Sequence, residues 1–306
     1  MFQIVLNQIL IMFVMMLIGL ICARTRLIDR KGNRVLSDML LMLVSPCTIF
    51  TSFQIGKTDE VLKGLLLVMF FTVIVHVIAI VIGMLVFHGK DEGKRAINRF
   101  SIIYSNCGFI GIPLISSILG AKGVVLLSGY IAVFNIFAWT HGYVLMSGKH
   151  DIKELKKGLL SPTIGSIILG FIFFMLNIRV PSVIESALES IGGINTPLAM
   201  LVAGSTLAGT QLKEIVKSPQ VYLVSLLKLV VVPACAIAVL LLAPVSKEVA
   251  YTVLVATACP TGATGVMLAL KFDKGHYYAS ELFAATTVFC LATVPTMVLA
   301  AQMLGL

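Results

Sequence analysis

Apolar residues run in stretches of about twenty from one end of the chain to the other, with short polar breaks between them. A helix crosses the hydrocarbon core of a bilayer in about 20 residues, so each stretch reads as a membrane-spanning helix. The pattern predicts spans near 4–22, 35–54, 62–87, 99–119, 123–146, 161–178, 192–210, 219–243, 248–270 and 279–303. Apolar positions are continuous instead of alternating, which argues against a transmembrane barrel. The expected fold is therefore an all-α integral membrane protein of ten transmembrane helices. The first 26 residues lack the basic start and small-residue cleavage site of a signal peptide and read as a retained first helix.

Composition agrees with this pattern. Of 306 residues, 58% are hydrophobic and 12% charged, against about 25% charged in a soluble domain, and the mean hydropathy is +1.03. Too little polar surface remains to coat a soluble particle. The basic residues fix an orientation: 17 of the 23 lysines and arginines fall in the odd-numbered loops and five in the even-numbered ones. Odd loops are then cytoplasmic, both termini extracytoplasmic, and a bacterial inner membrane is the expected location. The net charge of +9 follows from those loops and implies no nucleic-acid partner.

Catalytic chemistry has no foothold. The six cysteines (22, 47, 107, 235, 259 and 290) lie singly in apolar stretches, and no Walker loop, G-x-S-x-G or H-E-x-x-H motif is present, so neither an enzyme nor a cofactor or metal site is expected.

Five spans precede the polar loop GKHDIKELKKG (148–158) and five follow it. If 1–147 and 148–306 are repeats, an odd number of crossings sets them in opposite orientations, as in many secondary transporters. LMLVSPCTIFTS in span 2 is similar to LAMLVAGSTLAG in span 7, and SNCGFIGIPLIS in span 4 can be laid on PTGATGVMLALK in span 9, which pairs Asn106 with Thr261. The second pair also contains helix breakers. Pro260 removes a backbone donor and Gly262 and Gly265 weaken the helix, while Ser105, Asn106 and Gly108 loosen span 4 ahead of Gly111 and Pro113. Unwound backbone inside a membrane persists only where it lines a cavity or is covered by protein. Half-helices starting near Cys107 and Thr261 would aim positive N-termini at the midplane, a geometry suited to an anion. The expected substrate-binding residues are Asn106, Cys107, Gly108, Pro260, Thr261 and Gly262. No acidic residue lies mid-span near either break, against a cation site.

Two ionisable residues lie deep within spans. Lys228 is a candidate substrate counter-ion or a structural charge neutralising half-helix C-termini. His76 is a candidate proton carrier or a hydrogen-bonded packing residue.

These residues also resemble the auxin efflux carrier family, which holds plant auxin exporters and bacterial permeases for malate, malonate and similar acids. The resemblance is carried by SNCGFIGIPL (105–114), AVFNIFAWTHG (132–142), SPTIGSIILGF (161–171), GGINTPLAMLVAGSTLAG (192–209) and CPTGATGVMLALKF (259–272). It implies two inverted five-helix repeats with crossing broken helices 4 and 9. Helices 1, 2, 6 and 7 would form a scaffold and helices 3–5 and 8–10 a transport domain moving as an elevator, with a homodimer through the scaffold. The family's substrate-site asparagine maps onto Asn106 and its second crossover proline onto Pro260. Ser105 stands where plant exporters have a first crossover proline, and their long central loop is missing. The function implied is secondary transport of small organic anions, the close alternative being a sodium-coupled carrier of the bile-acid type. A channel or receptor is the more distant class.

Overall fold

The computed structural model describes residues 2–89, 91–148, 161–209 and 218–306. The central loop used above as the boundary between halves falls, apart from Gly148, outside them. Among the described residues the architecture is helical throughout, and the nearest approach to a sheet is one two-residue bridge, Ser105 with Thr261. The helices are α1 (Phe2–Arg24), α2 (Arg30–Ser52), α3 (Asp59–Val86), α4 (Glu92–Ile103), α5 (Cys107–Ser147), α6 (Pro162–Met175), α7 (Ser182–Gly193), α8 (Asn195–Ala208), α9 (Pro219–Leu241), α10 (Lys247–Ala258), α11 (Ala263–Lys271) and α12 (His276–Met303). Among the described residues, seven segments are long and apolar enough to cross a membrane: α1, α2, α3, α5, Ser182–Ala208, α9 and α12. The pattern called for ten. The other apolar stretches are divided into shorter pieces, α4, α6, α10 and α11, and the 41 residues of α5 are kinked at Gly120, where φ 61 and ψ −153 are non-helical.

Helix starts follow from local chemistry. The side chains of Asp29, Thr58, Asp91, Ser161 and Ser246 each accept a backbone N–H of the first turn of α2, α3, α4, α6 and α10. Three of the four π-turns among the described residues, Leu40–Val44, Cys107–Gly111 and Leu227–Val231 but not Ala138–Gly142, end two residues before a proline: Pro46, Pro113 and Pro233. A proline ring displaces the carbonyl four residues earlier, and widening the preceding turn relieves that clash without ending the helix.

Packing follows residue size. In α1 the buried positions are Val5, Ile9, Met12, Met16 and Gly19, a stripe with alternating steps of four and three. That stripe faces α8, where the backbones approach so closely that a Cβ on Gly204 would overlap the Met16 carbonyl and one on Gly19 the Leu201 carbonyl. Small residues let apolar helices meet at backbone distance in lipid, where dispersion contacts replace the hydrophobic drive. The opposite face of α1, with Ile4, Leu10, Ile11, Val14, Leu17, Ile18 and Ile21, is exposed and suits acyl chains. The later part of α2 packs on α6 and α7, whereas α3, α5 and α10 pack on one another. Lys122 holds that second group at one end, its ammonium 2.8 Å from Glu60 and 3.3 Å from Glu248.

Candidate functional site

Helix α4 ends at Ile103 and α10 at Ala258, and the chain runs extended for a few residues before α5 and α11 begin. The two extended stretches cross and pair in antiparallel fashion. Asn106 N–H donates to the Pro260 carbonyl (2.7 Å) and Gly262 N–H to the Tyr104 carbonyl (2.9 Å). A backbone unwound in an apolar interior needs partners for its polar groups, and each stretch supplies the other's.

Side chains extend the same local two-fold relation. The Ser105 hydroxyl donates to the Thr257 carbonyl (3.1 Å), and the Thr261 hydroxyl donates to the Ser101 carbonyl (3.0 Å). Each therefore reaches the carbonyl four residues before the other, at the open C-terminal end of the opposing half-helix. The bridge relates Thr261 to Ser105, one residue from the Asn106 pairing drawn on sequence alone. The signal that would have given this register is the spacing of hydroxyls ahead of the two breaks, Ser101 with Ser105 and Thr257 with Thr261.

Lys228 is fully buried in the π-turn of α9. Its ammonium makes a short hydrogen bond to the Ser105 hydroxyl and donates to the Thr257 carbonyl at 3.2 Å. A cation at a helix C-terminus is favourable, and the Thr257 carbonyl lies in the last turn of α10. Ser105, Thr257 and Thr286 were not among the expected site residues. Thr286 accepts the Thr261 N–H at 3.2 Å, so both donors of Thr261 are committed to protein acceptors.

The remaining expected residues separate into two environments. The Cys107 side chain is buried, its Cβ beside Gly111, which also faces Cys259 and Leu127. Asn106, at 6% exposure, occupies the N-cap position of α5 without a side-chain capping bond, and its Nδ2 has no hydrogen-bond partner. Its backbone carbonyl accepts from Ile110 and Gly111 at 3.1 and 3.3 Å, so the amides of Cys107, Gly108 and Phe109 precede the first intrahelical bond. Nothing lies within 4 Å of the place a Cβ would occupy on Gly108. An amide donor, a helix N-terminus and an open flank thus coincide on the Asn106 side of the crossing. A buried amide without a partner costs about 1–3 kcal/mol, which a hydrogen-bond acceptor bound there would recover. On the other stretch Pro260 offers only its carbonyl, which Asn106 occupies, and Gly262 takes the N-cap position just before α11.

His76 packs against the ring of Tyr104, whose carbonyl belongs to the crossing. It is 1% exposed, with Nδ1 2.8 Å from the Thr72 carbonyl. A carbonyl only accepts, so the ring proton is on Nδ1, and Nε2 is a buried acceptor without a partner. The rings of Tyr104, Tyr130 and Phe137 surround it at 6.1, 5.6 and 5.2 Å.

The family model described as membrane transport protein matches residues 4–156 and 148–298. Similar proteins include an uncharacterized transporter of Methanothermobacter thermautotrophicus, 24% identical over 297 residues that cover 94% of this chain and 96% of the relative. Another is the uncharacterized transporter MJ1031 of Methanocaldococcus jannaschii, 24% identical over 296 residues, covering 92% and 94%. A third is the uncharacterized transporter YfdV of Escherichia coli K12, 20% identical over 307 residues, covering 94% and 95%. A match along nearly the whole length of a multi-helix membrane chain places it by family: the protein belongs to the membrane transport protein family, that of the auxin efflux carriers.

Proposed function

We propose that this protein is a secondary transporter of small organic anions and that its carboxylate site is the flank of the helix crossing beside Asn106. The observation that carries the reading is the Asn106 Nδ2, a buried donor without a partner at the head of α5. Together with the first-turn amides of Cys107, Gly108 and Phe109 it offers a carboxylate several N–H groups and the positive end of a helix dipole. Thr261, Pro260 and Gly262 act by holding the crossing, because their donors and carbonyl are engaged across it.

In the same proposal the chain crosses the membrane ten times as two inverted halves, 1–147 and 148–306. The count reaches ten from the seven long segments by dividing α5 at Gly120, its first part joined to α4 and its remainder a crossing of its own, and by adding α6 and the pair α10 with α11. The local two-fold relation at Ser105 and Thr261 supports an inverted repeat, since such an axis in the membrane plane is what opposite orientations require. The scaffold would comprise α1, α2, α6 and α8, and the transport body α3–α5 and α9–α12. Movement of one body past the other would expose the crossing alternately, in an elevator cycle. The cytoplasmic membrane is the location, with both termini outside and a homodimer formed through the scaffold.

The sodium-coupled alternative is disfavoured by Lys228. Its ammonium already sits among the crossing's oxygens, Ser105 Oγ and the Thr257 carbonyl, which are the ligand types a sodium ion would need. The test is thermal stability of the purified protein against organic acids, neutral amino acids and sodium, since a ligand of the folded state raises the melting temperature. A carboxylate that stabilises the wild type and not Asn106→Ala is expected. Stabilisation by sodium or a neutral solute alone would refute the anion reading.

A further inference from the structure

Several helices of this protein begin with acidic residues, where the helix dipole favours negative charge: Asp59 and Glu60 in α3, Glu92 in α4, Glu185 in α7 and Glu248 in α10. Helix α2 departs from that rule. It opens with Arg30, Lys31 and Arg34 and no acid in its first turn, and Arg24 and Arg26 lie just ahead of it at the end of α1 and in the turn. All five are exposed, and none forms an ion pair among the described residues. The one carboxylate between them, Asp29, accepts the Gly32 N–H at 2.6 Å as the cap of α2. Arg26 also stands at φ 63, a left-handed conformation that glycine adopts without strain. The turn by itself would favour glycine there, so what arginine adds is its charge. The basic residues Lys94, Arg95, Lys271 and Lys274, where the start of α4 meets the end of α11, are mixed with acids instead: Arg95 pairs with Glu92 at 3.5 Å, and Asp91 and Asp273 lie nearby in the chain.

The same corner is apolar as well as basic. On α1 the exposed stripe Leu10, Val14, Leu17 and Ile21 runs into Arg24, and on α2 Lys31 leads into exposed Val35, Met39 and Met42, in steps of three or four. Between the two helices Leu27 is 79% exposed at the tip of the turn. In a bilayer acyl chains cover such stripes, and cations where the stripes end lie at headgroup depth. A soluble anion would answer the charges and leave Leu27 in water; a phospholipid answers both. We infer that the α1–α2 corner is a binding site for an anionic phospholipid, its phosphate among Arg26, Arg30, Lys31 and Arg34 and its acyl chains along the two stripes. A zwitterionic phospholipid is disfavoured because its ammonium would enter a field of like charge. The site does not depend on what the helix crossing binds.

Delipidated protein in neutral detergent, titrated with phosphatidylglycerol or with phosphatidylcholine of the same acyl chains, tests this by native mass spectrometry and melting temperature. Phosphatidylglycerol should bind at least about tenfold more tightly, several basic residues each contributing about fivefold, and should raise the melting temperature. The preference should weaken with added salt. It should be lost in the fourfold variant R26Q/R30Q/K31Q/R34Q and kept in K94Q/R95Q/K271Q/K274Q, which removes as much charge elsewhere. Should the fourfold variant fail to fold, Arg26→Gly carries the test: it should melt higher than wild type without lipid, through relief of the turn, and lose about fivefold of the preference. Equal binding of the two lipids by the wild type would overturn the site, as would a preference that survives the Arg26 and fourfold variants or is lost as fully in the control. A melting shift as large with glycerol 1-phosphate would also overturn it, by showing that the acyl chains take no part.

Discussion

Asn106 and Thr261 are adjacent at the crossing yet differ in what they have left to offer. Thr261 gives its N–H to Thr286 and its hydroxyl to Ser101, whereas the Asn106 amide keeps a donor without a partner. Replacing them should therefore have different consequences. Asn106→Ala is expected to weaken carboxylate binding at least tenfold with little change in melting temperature, as it deletes no bond within the protein. Thr261→Val should lower stability by about 1–3 kcal/mol, since the Ser101 carbonyl loses its hydroxyl donor in an apolar interior; thermal unfolding in detergent distinguishes the two. At Lys228 removal of the ammonium leaves the α10 C-terminus without its cation, but Ser105 still bonds the Thr257 carbonyl. Lys228→Met is thus expected to cost stability without unfolding the protein, and circular dichroism with a melting scan reads both. Asn106, Lys228 and His76 could be singled out in the sequence because polar groups are rare in apolar spans. Their roles could not be divided there, because that division depends on which partners lie across the crossing.

Among the helices, α1 and α8 meet most closely, and Gly204 permits it. Gly204→Ala should destabilise by about 1–3 kcal/mol or more through overlap with the Met16 carbonyl. Gly165 is also within a helix, α6, but nothing lies within 4 Å of a Cβ there. Gly165→Ala should be neutral or stabilise by up to about 1 kcal/mol, and parallel melting scans of the two variants compare packing against propensity. Helix ends were legible where breakers were strong: Pro260 and Gly262 lie in the interruption between α10 and α11. The α11 start at Ala263 is two residues beyond the Thr261 expected, with the Thr261 N–H given to Thr286 of α12 and the Gly262 N–H to Tyr104 across the crossing. The π-turns were not read from the prolines, since a proline equally signals a kink, a stop or a first turn.

For the whole molecule, orientation rests on the lysines and arginines of the odd loops. A single cysteine introduced at Lys31, in a background without the native six, should be shielded from an impermeant thiol reagent in intact cells. One introduced at Glu185 of α7 should be labelled, and the reverse pattern would invert the topology. The Lys122 contacts with Glu60 and Glu248 join the starts of α3 and α10 to the turn after Gly120. They are partly exposed, so Lys122→Ala is expected to cost no more than about 1 kcal/mol, less at high salt.

The sequence by itself determined the membrane class, the helical architecture, the family, and the two places where apolar helices yield to Pro, Gly, Ser and Asn. Each of these follows from local composition and spacing, which need no knowledge of distant contacts. Tertiary structure alone decided that the two interruptions meet, that Ser105 and Thr261 form the bridge between them, and that Lys228 turns to the C-terminal end of α10. It also decided that Cys107 faces the core and that Asn106 keeps its amide unpaired. Those outcomes depend on residues 29 to 160 positions apart in the chain. A one-residue change of register across the crossing exchanges which polar atoms are satisfied, and no local pattern specifies that register.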